Sequence, residues 1–493
     1  MLARLVAHFS RYSLASLLVT LASVVSFPFL TRIFSVEEYG WMSLIGVLVT
    51  GLAAVAKLGV QQAALRFFSD VRAGLTQWTL QQYESTVCVG LAASGLLVTG
   101  LWCIGLLLLP DRLFTQPETR HLLFLVAPLT LLQCLSSAIV NQLRAREMSG
   151  VLSLYSVLQR YVSLTLMIGT LLYVSASLWG FYTAQIVAES LALIVLASWY
   201  FRREPWSPRQ FSPSLYRSML RYSLPLVGME LSSVMLNMGD RILIERMLGA
   251  AQLGIYSAPY NLSDYIGAVL VMAFTGAVTP MVLRLWADEG ATATREFLQR
   301  VLHLYLLFAI PMVAGVSAVA EPLITIVASE KYRAGASIIP WVIGGIALQG
   351  LFPVASAGLQ IEKRSPVILL CILSAVALNV LLNILLIPHW GLDGAAFATL
   401  LSYLLMVGLA AWQGRNTIRP TPETHRIAVF VFAALAMYLL TVNINLTGSV
   451  QTLLTRILGG IVSYSLLVIF LDKHTRHLAR QAAGRFGAGK GQK

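Results

Sequence analysis

The chain has 493 residues, 57% of them hydrophobic and only 12% charged. A soluble domain carries about 25% charged residues, so the composition excludes a soluble globular protein and reads as a polytopic membrane protein. The formal net charge of +13 does not point to nucleic acid, because the basic residues flank the apolar runs, where they act as retention signals and anionic-lipid contacts.

Backbone groups in lipid must satisfy one another. The long apolar runs are therefore read as helices, each needing about 20 residues to cross the hydrocarbon layer. The alternating segments of a membrane β-barrel do not occur. Arg4 and Arg11 precede a first run that is too long for the apolar part of a signal peptide. It is span 1, at 10–31. Spans follow at 41–66, 84–109, 120–142, 151–174 and 179–201, completing an N-terminal lobe over 1–201. Residues 202–217 form a basic, proline-rich linker with Arg202, Arg203, Pro205, Pro208, Arg209, Pro213 and Arg217. A second lobe over 218–413 holds spans at 221–244, 253–283, 297–320, 336–360, 366–387 and 392–413. Two more spans, at 426–443 and 453–471, occupy 414–471 and bring the total to fourteen. A basic tail covers 472–493.

The lobes are copies of one another. Arg11-Tyr12-Ser13-Leu14 recurs as Arg221-Tyr222-Ser223-Leu224. Arg32, Gly40 and Ser43 line up with Arg246, Gly254 and Ser257. Leu65-Arg66 with Asp70 recurs as Leu283-Arg284 with Asp288, and Trp179-Gly180 as Trp390-Gly391. Six spans per copy return the chain to its starting side, so the repeat is parallel. Such a repeat predicts two pseudo-symmetric six-helix lobes around a central cleft, plus two C-terminal helices.

Orientation follows from Lys and Arg. With the N-terminus cytoplasmic, 25 of the 35 fall on the cytoplasmic side, 8 on the other, and Lys57 and Arg160 inside spans. Both termini are expected in the cytoplasm. The far-side connections are too short for a folded domain.

Several polar residues interrupt the spans. Glu230, Ser233, Asn237 and Arg241 share one face of span 7, with Asp240 beside them. Tyr256, Tyr260 and Asp264 share a face of span 8, with Asn261 adjacent. Ser43, Thr50, Lys57 and Gln61 form a stripe on span 2, and Ser13, Ser16, Thr20 and Ser23 one on span 1. A charge at mid-bilayer costs about 2.5–3.5 kcal/mol on insertion scales, so these groups are expected to face protein or water and mark a pathway. The alternative for Lys57, Glu230, Asp264 and, in span 6, Glu189 is an internal pair that only joins helices. Arg160 is expected to snorkel. Arg32, Asp240, Arg241 and Arg246 lie near the far surface, as an outer gate or a polar rim. The small residues of spans 1 and 7 also suit close helix packing.

Other chemistry lacks support. Cys88, Cys103, Cys134 and Cys371 sit in apolar runs without metal-ligand or CxxC spacing. The seven histidines form no HxxxH or HExxH pair, so neither metal nor cofactor is expected. Residues 484–490 imitate a phosphate-binding loop, but Gly491 stands where Ser or Thr is needed and no strand precedes it. Without an ATP site, energy is expected from an ion or substrate gradient.

The chain resembles the polysaccharide-transporter family, the Wzx-type oligosaccharide flippases of the multidrug/oligosaccharidyl-lipid/polysaccharide exporter superfamily. Phe27-Pro28, Thr31-Arg32-Ile33-Phe34 and Glu38-Tyr39-Gly40 carry the resemblance, with Leu65-Arg66, Asp240-Arg241 and Leu253-Gly254-Ile255-Tyr256. Gly391-Leu392-Asp393-Gly394-Ala395-Ala396-Phe397-Ala398-Thr399 extends it. The resemblance implies transfer of an undecaprenyl-diphosphate-linked oligosaccharide from the cytoplasmic to the outer leaflet of a bacterial inner membrane. It also implies a cleft lined by spans 1, 2, 7 and 8. The expected substrate contacts are Lys57, Gln61, Arg66, Glu230, Asn237, Arg241, Tyr260, Asn261, Asp264 and Arg284. Glu230, Asp264 and Glu189 are candidates for coupling a proton or sodium ion. Lys57 stands against Glu230 and Asp264, a mixed charge that leaves a neutral glycan open. Polysaccharide polymerases or transferases are possible partners. A cation-coupled drug exporter of the same superfamily and a membrane-embedded glycosyltransferase or polymerase are the rival readings.

Overall fold

A computed structural model of the protein describes residues 2–110, 117–204, 206–418, 420 and 423–472. The tail motif at 484–490, Arg112 and Arg419 lie outside the described residues. Regular structure among the described residues is helical throughout, without a strand. The protein is an all-α, multi-pass membrane protein. Eleven stretches among the described residues are long and apolar enough to cross a membrane. One of them, the 50-residue Ser365–Gly414, holds two spans, because Gly391 leaves helical geometry at φ 57° and ψ −132°. Pro213–Leu248 and Ala250–Asp288, of 36 and 39 residues, are not among the eleven but cover the predicted runs at 221–244 and 253–283.

The chain packs as two units, Met1–Gly254 and Ile255–Lys493. The first contains α1 (Leu2–Ile33), α2 (Val36–Lys57), α3 (Val60–Arg72), α4 (Leu80–Leu108), α5 (Pro117–Ala145), α6 (Ser149–Tyr173), α7 (Leu178–Phe201) and α8 (Pro213–Leu248). Several starts have clear local causes. Ser35 and Glu38 close a reciprocal capping box on α2, and Thr79 and Gln82 do the same on α4. Ser212 caps α8, with Pro213 pre-set for the first turn. In this unit α5 packs against α2, α4 and α7, α1 against α6, and α8 against α2 and α3. Ala56, Val60, Phe68, Tyr83, Leu91 and Met219 meet in its core. Leu96, Leu97, Leu101, Ile104 and Leu108 of α4 are exposed, as suits a lipid-facing surface and not a watery one.

Span 2, expected as one helix over 41–66, is broken. Leu58 (φ 47°) and Gly59 (φ 64°) are both left-handed and separate α2 from α3. Gly59 takes that conformation freely, whereas a left-handed Leu58 costs about 1–2 kcal/mol. The linker is docked: Ser207 and Ser212 donate their backbone N–H groups to Ser85 Oγ and Thr86 Oγ1 of α4, at 3.1 and 3.0 Å.

The second unit carries most of α9 (Ala250–Asp288), then α10 (Gly290–Ala318), α11 (Ala320–Val327), α12 (Ile339–Gln349), α13 (Phe352–Ala355), α14 (Ala357–Ile361), α15 (Ser365–Gly414), α16 (Thr424–Val442) and α17 (Ser449–Leu471). Here α10 packs on α12 and α16, and α12 on α15. The expected span at 336–360 is divided into α12, α13 and α14. Pro353 has no N–H to offer the carbonyl of Gln349, and α12 stops at that residue.

Candidate functional site

Within the first unit, a ladder of side chains crosses three helices. Asn141 Nδ2 donates to Ser137 Oγ at 2.9 Å on α5. Ser137 Oγ donates to Gln61 Oε1 of α3 at 3.2 Å. Gln61 Nε2 donates to Glu230 Oε2 of α8 at 2.7 Å. The break after α2 positions the ladder, because it restarts the helix at Val60, one residue before Gln61. Ser223 Oγ of α8 donates to the exposed carbonyl of Leu58 at 2.8 Å, which fixes α8 against the break.

No ion pair within 4 Å joins Lys57 to Glu230 among the described residues, and the Glu230 carboxylate accepts from an amide instead. Lys57 is half-buried at the end of α2, near Cys134, one turn before Ser137. It has no hydrogen-bond or ionic partner among the described residues. Below it, Arg66 is exposed and lies over the Tyr222 ring at 4.6 Å.

The remaining predicted residues fall in several settings. Arg241 and Asp240 are buried, at 5% and 1% exposure, and Arg241 Nη1 donates to Ser43 Oγ of α2 at 3.0 Å. Asn237 is half-buried and donates to the Ser233 carbonyl one turn back. Arg32 donates to the Pro28 carbonyl, and both Arg32 and Arg246 are exposed. Glu189 accepts from Gln159 Nε2 of α6 at 3.1 Å. Arg160, expected to snorkel, instead reaches across to α1 and donates to Ser23 Oγ at 2.8 Å. In the second unit Tyr256 and Tyr260 are buried with ring centroids 5.5 Å apart, Asn261 is half-buried, and Asp264 and Arg284 are exposed.

Three polar clusters escaped the sequence reading. Glu84, 1% exposed, is held by Arg146 Nη2 at 2.5 Å and by the Tyr200 hydroxyl at 2.6 Å. Arg146 Nη1 also reaches Glu204 at 2.6 Å, and Tyr200 closes on Gln142. This ties α4, α5 and α7 at one end of the unit. Burial works against the Arg146 charge, but the hydrogen bond to Glu84 and the carboxylates outweigh it and raise its pKa. In the second unit, Asn383 donates to Asn379, which donates to Thr399 across the two halves of α15. Arg456 of α17 donates to the carbonyls of Ala318 and Ile444 and to Asn445 Oδ1, at 2.6–2.9 Å. The signals available beforehand were faint: Ser137 and Asn141 one turn apart in span 4, and Arg146 in the polar turn after it.

A family model described as polysaccharide biosynthesis protein matches residues 5–286, and one described as MatE matches 225–385. The chain is 24% identical over 318 residues to the succinoglycan biosynthesis transport protein ExoT of Rhizobium meliloti (strain 1021), covering 62% of this chain and 59% of that one. It is 29% identical over 230 residues to a probable multidrug resistance protein, NorM, of the same organism, covering 44% and 47%. The chain thus spans roughly half the length of these curated relatives. Among solved structures it superposes on the lipid II flippase MurJ, inward closed conformation, with a TM-score of 0.77. That match is 15% identical and covers 94% of this chain and 99% of the other. At such identity the likeness is one of fold.

Proposed function

The chain belongs to the polysaccharide biosynthesis protein family, and on that footing we propose that it is a flippase for a lipid-linked oligosaccharide. The cargo is an undecaprenyl-diphosphate-linked repeat unit of O-antigen, capsule or exopolysaccharide. It moves from the cytoplasmic to the outer leaflet of a bacterial inner membrane by alternating access, with both termini of the carrier in the cytoplasm. The physical problem is the polar head. Each unpaired hydroxyl or amide costs about 2–7 kcal/mol in hydrocarbon, whereas the polyprenyl tail can stay in lipid.

The Asn141–Ser137–Gln61–Glu230 ladder, with the unpaired Lys57 beside it, carries the proposal. It lays donors and acceptors across α5, α3 and α8, with one uncommitted cation at the end of α2. Lys57 and Arg66 attract the diphosphate, and the ladder exchanges its hydrogen bonds for those of sugar hydroxyls. Glu230 is the group through which a proton or sodium ion couples to the cycle. One charge moved through 100 mV supplies about 2.3 kcal/mol. ExoT and MurJ, named for succinoglycan transport and lipid II flipping, support the glycan reading.

The test is complementation of a deletion strain, reading surface polysaccharide and the lipid-linked intermediate together. Lys57→Ala and Glu230→Gln are expected to lower surface glycan at least about tenfold and raise the inner-leaflet intermediate. Normal glycan in the deletion strain sinks the proposal. The MatE match and the NorM relative favour one rival, a cation-coupled drug exporter. Drug hypersensitivity of the deletion strain with unchanged glycan would select that reading.

A further inference from the structure

Arg66 takes its support from another helix. It stands on α3, and its Cζ lies 4.6 Å from the ring centroid of Tyr222 on α8. A local carboxylate is at hand, because Asp70 follows four residues later on α3. No ion pair within 4 Å joins the two among the described residues, and basic-before-acidic is the less favourable order along a helix. Other arginines lie over rings three or four residues away along the chain: Arg72 over Phe68, Arg203 over Trp199 and Arg415 over Trp412. The Arg66 stack instead joins two helices.

The ring under Arg66 is itself held. Phe67 meets Tyr222 edge to face, with centroids 6.3 Å apart at 70°, and Trp78 backs Phe67 at 6.5 Å. Trp78 Nε1 in turn donates to Ser214 Oγ, at the start of α8, at 3.3 Å. The Tyr222 hydroxyl makes no hydrogen bond among the described residues, so the ring alone serves Arg66. A ring attracts the guanidinium charge without taking up its N–H groups, as a carboxylate would. Arg66 is exposed, and its N–H donors meet no acceptor among the described residues. Arg146 shows the contrast. It also lies over rings, those of Phe68 and Tyr200, but it spends its donors on Glu84 and Glu204.

We propose that Tyr222 is a positioning residue, which presents Arg66 as an oriented fork to the diphosphate of the cargo. A planar guanidinium takes two oxyanion oxygens in parallel hydrogen bonds. A free exposed arginine gives up rotamer freedom when it binds. The stack on Tyr222 has already taken that loss, and it leaves the N–H edge open. Arg66 therefore recognises the head by geometry as well as by charge, whereas Lys57 offers a point charge. That the diphosphate belongs to a transported glycan rests on the flippase reading; the effect of Tyr222 on diphosphate binding does not.

The test uses the purified full chain in detergent, with geranyl diphosphate as the probe and geraniol as the control without phosphate. Calorimetry reads Kd. Arg66→Gln is expected to weaken diphosphate binding at least about tenfold. Tyr222→Leu is expected to weaken it about two- to fivefold, and Tyr222→Phe by less than about twofold. Trp199→Leu, which removes the ring under Arg203, is expected to leave binding unchanged. Fluorinated phenylalanines at position 222 keep the shape of the ring while draining its negative face. Affinity is expected to fall stepwise from Phe through the mono- and difluoro forms to the trifluoro form, whereas a ring that only packs gives a flat series. The series still answers if Tyr222→Leu fails to fold. Four results overturn the proposal: a flat series, Tyr222→Phe as weak as Tyr222→Leu, the same loss from Trp199→Leu, or geraniol bound as well as its diphosphate. A stepwise series with normal surface glycan in the deletion strain would sink the flippase reading alone. A flat series with glycan lost in that strain would sink the role of Tyr222 alone.

Discussion

Gly40 and Gly254 make the same contact in opposite directions. A Cβ on Gly40 would lie 1.9 Å from the Ala250 carbonyl oxygen, and a Cβ on Gly254 would lie 1.9 Å from the Val36 carbonyl oxygen. Each glycine stands four residues beyond the residue that its counterpart touches. The repeat proposed from the sequence aligns these two positions, and the two segments cross there through reciprocal glycine contacts. Gly40→Ala and Gly254→Ala are each expected to destabilise the protein by about 1–3 kcal/mol, the usual cost of overpacking. Thermal unfolding in detergent measures it. An unchanged midpoint for both would mean that the crossing relaxes freely.

The Glu84–Arg146 pair is buried, so removing one partner strands the other. Arg146→Ala is expected to cost about 3–5 kcal/mol, and replacing both residues by apolar side chains to recover much of that. Glu204→Gln, at a more exposed partner, is expected to cost less. Denaturation midpoints of the four proteins check the order. The raised pKa keeps Arg146 charged. Stability from a raised basic group is lost only as pH rises through its folded pKa, so the part that Arg146 contributes is expected to stay flat across the neutral range.

At the break in span 2, two substitutions separate backbone strain from hydrogen bonding. Ser223→Ala removes one bond to the Leu58 carbonyl, worth about 0.5–1.5 kcal/mol. Gly59→Ala adds a left-handed strain of about 1–2 kcal/mol and sets a Cβ 2.8 Å from the Ser223 carbonyl oxygen. Gly59→Ala is expected to be the more damaging, by thermal unfolding and by yield of folded protein.

Arg456 spends its donors on three acceptors at the end of α10 and the turn before α17. Lysine has a single ammonium and cannot span them. Arg456→Lys is therefore expected to behave nearly like Arg456→Ala. Protease cleavage between α16 and α17 provides the assay, with both variants cut faster than the parent.

Much of the fold was legible in the sequence because its cause is local. Apolar run length acts over a few residues, and the expected runs recur as helices. What stayed hidden depends on distant pairs. Glu84 stood at the edge of an apolar run with nothing to tie it to Arg146 or Glu204. The stripe through Lys57 and Gln61 assumed one continuous helix, and Leu58 gave no warning of a left-handed turn. On span 8 the period was visible, but not that Tyr256 and Tyr260 would be buried while Asp264 stayed exposed.

A helix that stops and restarts inside the hydrocarbon layer leaves peptide groups that lipid cannot serve. At Leu58 that service comes from Ser223, so α8 cannot slide away without stranding a carbonyl. The two pieces of the broken segment and the helix laid across them must therefore travel together in any working cycle. Whatever bends in this protein bends elsewhere.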